Sequence, residues 1–126
     1  MSVLVMTSNG TLGHGLGSTI TGGTFTIITT PKTKGKVNGA GIFSGTLQYS
    51  FAGGSAPGMV AGTVATTAPQ SINPTAVKSR VQGDLVVREG DSGTMQAEGT
   101  LTGGGVGPVS GPVEVNDAGQ NVLRGK

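Results

Sequence analysis

Ser79-Arg80-Val81-Gln82-Gly83-Asp84-Leu85-Val86-Val87-Arg88-Glu89-Gly90-Asp91-Ser92-Gly93-Thr94-Met95 is the stretch whose reading sets the fold class. It holds a β-prone run, Asp84 to Arg88, between two glycine breaks. Gly83 stands where a strand bends or a tight turn begins, and Glu89-Gly90-Asp91 reads as a second turn. Downstream, Thr94 to Leu101 is another strand and Gly103-Gly104-Gly105 another break. Val113-Glu114-Val115 alternates before a turn at Asn116-Asp117-Ala118-Gly119.

The chain upstream has the same texture. Val3-Leu4-Val5-Met6 is a short apolar run, followed by the hairpin-type signal Asn9-Gly10. Gly13-His14-Gly15-Leu16-Gly17 reads as a glycine-rich loop, and Thr24 to Thr30 as the clearest strand of the first third. Lys32, Lys34 and Lys36 follow Pro31 at spacing two, which in an extended segment puts all three on one face. Residues 51–79 are rich in Gly, Ala, Thr and Pro and carry no charge before Lys78. They read as an extended crossover with one short strand near Met59–Val64, suited to lying against another surface. Val37-Asn38-Gly39, Val81-Gln82-Gly83 and Val109-Ser110-Gly111 form a weak, irregularly spaced repeat, which predicts quasi-equivalent hairpins rather than a solenoid.

The expectation is therefore a single all-β domain over residues 1–126, built of short hairpins with long Gly/Pro-rich connections. Only 3% of the residues are aromatic and 25 are glycine, so the core is modest and ordering it is costly. Docking on a partner or repeated β-pairing is expected to supply stability. Disorder is the competing outcome for such a Gly, Ser and Thr content, but a charged fraction of 11% and regular β-branched runs favour a fold.

Chemistry is thinly represented. With no Cys, disulfides and thiolate metal sites are excluded, and His14 is the one histidine. No nucleophile elbow accompanies it, and the glycine-rich segments lack the Lys-Ser/Thr that cradles phosphate. Asp84, Glu89 and Asp91 are the one cluster of acids, around a strand–turn junction where turn chemistry is the default. A net charge of +2 and few aromatics argue against nucleic acid. The residues imply a non-enzymatic structural or assembly protein. Met1 to Met6 lacks a basic leader and no stretch reaches membrane-span length, so assembly in the cytoplasm is expected.

The same 79–95 stretch resembles a phrase of PAAR and PAAR-like proteins, a strand Val-x-Gly-[Lys/Arg]-Pro-Val-[Ala/Val]-Arg-x-Gly-Asp followed by Thr. The matching residues are Val81, Gly83, Val86, Val87, Arg88, Gly90 and Asp91, and Asn38-Gly39 suits the family's layout. The resemblance implies a small pyramid of β-hairpins that caps and sharpens the trimeric spike of a type VI secretion or related contractile injection system. It implies one copy per trimer of a VgrG-like spike protein, export at the tip, transient contact with a target membrane, and in some members an effector or cargo. Arg88, Gly90 and Asp91 would hold the turn near the apex, through an ion pair or hydrogen bonds. Phe43, Tyr49 and Phe51 would form either a core group or the face that meets the spike. Many members bind zinc through His and Cys, whereas here Met95 and Gln96 occupy the region where a His is common, so no cofactor is expected. The alternative is a β-rich phage or virion decoration or baseplate protein.

Overall fold

The computed structural model describes residues 3–126; Met1 and Ser2, on which the leader reading began, lie outside that range. The described chain is all β. Its strands are β1 Val3–Leu4, β2 Thr11–His14, β3 Thr21–Ile27, β4 Lys36–Val37, β5 Ala40–Gly41, β6 Leu47–Ser55, β7 Gln70–Ile72, β8 Arg80–Val81, β9 Asp84–Leu85, β10 Ser92–Thr100, β11 Val106–Asp117 and β12 Arg124–Gly125. They fall into two groups. Three two-stranded pairs, β1–β12, β4–β5 and β8–β9, form one part, and two three-stranded sheets, β10–β11–β2 and β3–β6–β7, form the other.

The small pairs follow from local chemistry. Asn38 and Gly39 have φ of 50° and 85°, and Gln82 and Gly83 have 51° and 90°. Two successive positive φ values define a tight two-residue hairpin loop, and its twist matches that of the strands it joins. Val37 therefore faces Ala40, and Val81 faces Asp84. The third pair has no such loop. It is made by the two ends of the chain, with Val3 opposite Gly125 and Leu4 opposite Arg124.

The sheets follow from period-two burial. In β6, Leu47, Tyr49 and Phe51 point inward, and in β10 Met95 and Ala97 do. Val113 and Val115 of β11 join them, together with Ile72 and Leu12. The β10–β11 ladder runs from Ser92↔Glu114 to Thr100↔Val106 and is the longest in the molecule. Short hairpins are thus only part of the architecture, because the ladder with β10 carries β11 straight through Gly107-Pro108 and Gly111-Pro112.

Several local expectations change in the fold. Gly13 and His14 belong to β2 and not to a loop, since β2 is held along β11 by His14↔Val113 and Gly13↔Glu114. Residues 51–79 are not a crossover with a strand at 59–64. β6 continues to Ser55, Met59 and Val64 make only single bridges to Leu101 and Gly54, and the strand in this segment is β7. Gly58 and Gly62, both at φ of 78°, turn the chain too often for a ladder to form between them. The lysine segment bends at Thr33 and Lys34, so the three lysines do not share one strand face. Val109-Ser110-Gly111 lies inside β11 and is no hairpin turn.

Candidate functional site

Between the small pairs and the sheets, three segments meet in a closed cycle of backbone hydrogen bonds. Met6 N–H donates to Val87 O at 2.8 Å, Val87 N–H to Phe43 O at 3.0 Å, and Phe43 N–H to Met6 O at 3.0 Å. A second cycle surrounds it. Ser8 N–H reaches Gly41 O, Gly45 N–H reaches Leu85 O, and Glu89 N–H reaches Leu4 O, each at 2.8 Å. The bridges Val5↔Arg88, Thr7↔Ile42 and Ser44↔Val86 complete the pattern. Each segment donates to one neighbour in the inner cycle and to the other neighbour in the outer cycle, and the same pattern in all three gives Leu4–Ser8, Gly41–Gly45 and Leu85–Glu89 an approximate threefold axis.

Alternation along these segments builds a core on each side of the ring. Val5, Ile42 and Val86 pack with Val37 and Ala76 in the small cluster between the hairpins. Met6, Phe43 and Val87 enter the larger cluster enclosed by the sheets. At the next position Thr7 and Ser44 are buried and donate to Ala118 O and Val81 O, so their hydroxyls are satisfied by carbonyls flanking the ring.

Arg88 takes the third of these positions and begins the turn that ends at Asp91. Gly90, at φ of 91° with open space around it, makes that turn possible. Asp91 is 4% exposed. Its Oδ2 accepts from Arg88 N–H at 2.8 Å and its Oδ1 from the Thr75 hydroxyl. The Arg88 guanidinium donates from Nη2 to the Thr75 oxygen at 2.9 Å and from Nη1 to Gly125 O at 3.4 Å. Arg88 and Asp91 are thus linked through Thr75 and the backbone, in the hydrogen-bonded form of the two linkages their sequence allows. Thr75 carried no sequence signal of this role, because nothing local to it announces a contact sixteen residues away.

Phe43, Tyr49 and Phe51 are 3%, 0% and 2% exposed. They are core residues, the first of the two roles the sequence allowed, and as buried side chains they do not offer a face to a partner. β6 buries Tyr49 and Phe51 on its inner face, and Gly54 leaves room for the Phe51 ring, which a Cβ there would meet at 2.5 Å.

His14 leaves the strand end with Nε2 2.8 Å from Gly22 O, its ring edge-on to Phe25 and Phe51 at 5.1 and 5.2 Å. Its Nδ1 is buried without a hydrogen-bond partner, an arrangement that suits the Nε2–H tautomer. An open groove of about 600 Å³ beside it is lined by Leu16, Ser18, Thr21 and Glu114 among others. Among the described residues no three His, Cys, Asp or Glu side chains converge. Met95 is buried in the core, and Gln96 N–H donates to Gln70 Oε1 at 3.0 Å. These residues do not fit the zinc that PAAR proteins often carry. No family model, characterised protein or solved structure matches the chain.

Proposed function

We propose that this chain is a structural tip protein that caps the trimeric spike of a contractile injection system, in the manner of PAAR-like proteins and without catalytic chemistry. The observation that carries the reading is the closed cycle Met6–Val87–Phe43. A single chain that seats on the end of a homotrimer has to offer three similar contacts about one axis, and an internal approximate threefold lets a monomer do so. The resemblance and the geometry also converge on the same residues. The 79–95 stretch contributes Leu85–Glu89, one of the three related segments, and Gly41–Gly45 and Leu4–Ser8 are its counterparts.

The test is native mass spectrometry of the chain co-expressed with the trimeric spike protein encoded nearest to it. One copy per spike trimer is the expected result. No complex, or a ring or lattice of this chain alone, overturns the reading in favour of a particle component.

A further inference from the structure

The eight Lys and Arg residues are confined to three short segments: 32–36, 78–88 and 124–126. Residues 37–77 and 89–123 contain none. Each cationic segment includes the outer strand of one small pair, β4, β8 or β12. The register places Lys36, Arg80 and Arg124 at one equivalent point, opposite Gly41, Leu85 and Leu4. Those three partners are related by the hydrogen-bond cycle, so the cations are related by the same axis.

The acids do not balance them. At this end Asp84 pairs with Lys32 at 3.1 Å, Asp91 is buried against Thr75 and Arg88, and Glu89, half-buried at the end of a ring segment, is the one further acid against eight cations. Lys34, Lys36, Lys78, Arg80 and Lys126 stay exposed. The sheets hold Glu98, Glu114 and Asp117 and no cation. The molecule is electrically polar along its axis. Gathering like charge at one end costs self-repulsion that interspersed charge avoids. A cleft of about 390 Å³ at this end is lined by Thr75, Val77, Lys78, Arg88 and Lys126, with no Asp or Glu side chain among them. Arg88 Nε is buried there without a hydrogen-bond partner.

We infer that the hairpin end is the docking face, and that it seats on a carboxylate-rich end of a threefold protein. This rests on the spike-cap reading and adds the orientation and the chemistry of contact. The threefold repeat of Lys36, Arg80 and Arg124 favours a trimer over the other polyanions. A duplex presents its phosphates in helical rows and a bilayer presents a plane, and neither repeats three times about an axis. The cation-free sheet end, with Val106 66% exposed, then points away from the spike.

The experiment measures binding of the spike trimer to the full chain from about 50 to about 500 mM salt. It compares wild type with K36E/R80E, K78A/K126A and, at the sheet end, Glu98→Lys, after thermal melts establish that each variant is folded. The proposal expects affinity to fall with salt, about tenfold or more weaker binding for K36E/R80E, and no change for Glu98→Lys. If K36E/R80E does not fold, K78A/K126A carries the same comparison with a smaller loss. Unchanged trimer affinity in the hairpin-end variants overturns the docking face and leaves the cap reading standing. No trimer binding overturns both. Charge-dependent binding only to phosphatidylglycerol/phosphatidylcholine vesicles or to duplex DNA also overturns both, and assigns the face to that polyanion.

Discussion

Tyr49 combines complete burial with a hydroxyl that has no hydrogen-bond partner. Its ring packs near Phe25 at 5.9 Å, but the dehydrated phenol is a cost that a phenylalanine would not carry. Tyr49→Phe is expected to raise stability by about 1 kcal/mol in urea unfolding. Burial also pushes the phenol pKa up to about 12 from 10.0. The folded state then holds the proton more tightly than the unfolded chain. The resulting stability is fully present below pH 10 and is lost as pH rises toward about 12. Wild type is expected to lose up to about 2–3 kcal/mol relative to Tyr49→Phe across that window, and parallel curves would mean that the hydroxyl is hydrated. That Tyr49 is apolar enough to be buried is legible in its alternation with Leu47 and Phe51. That its hydroxyl finds no partner depends on residues far along the chain.

At the scale of elements, the two tight hairpins separate backbone demand from packing demand. A Cβ on Gly83 meets nothing within 4 Å, yet φ there is 90°. Gly103 also has open space around it, with no positive φ. Gly83→Ala is therefore expected to cost about 1–2 kcal/mol and Gly103→Ala to be near neutral, measured as denaturant midpoints. Equal effects would show that the β8–β9 turn relaxes at no cost. The Asn38-Gly39 and Gln82-Gly83 hairpins were readable because positive φ restricts residue choice. Val109-Ser110-Gly111 has similar spelling and lies mid-strand, since Gly111 pairs with Met95 in a long ladder. Glycine marks a permission, and the ladder decides whether it is used.

For the whole molecule, the third hairpin is assembled from opposite ends of the chain. Gly125 pairs with Val3, which brings the two ends of the described chain side by side as in a hairpin. A circular permutant with Lys126 joined to Met1 and opened between Asn38 and Gly39 is expected to fold with a melting temperature within about 5 °C of wild type. A permutant that fails to fold would mean that β1–β12 is not an equivalent of the β4–β5 and β8–β9 pairs. The ring makes all three segments mutually dependent, so loss of any one should unfold both cores together.

The all-β class, the two glycine hairpins, the strand at β10 and the turn ending at Asp91 were determined by the sequence alone. Each rests on local causes: β-branched content, period-two alternation and positive φ. The threefold cycle, the partnership of Thr75 with Asp91 and Arg88, and the burial of Phe43 were decided only in the tertiary structure. They join segments about 40 residues apart or more, or, for Thr75, the near side of one loop to the far side of a hairpin. The third repeat was hidden for the same reason. Its two strands are written at opposite ends of the chain, and only backbone pairing brings them together.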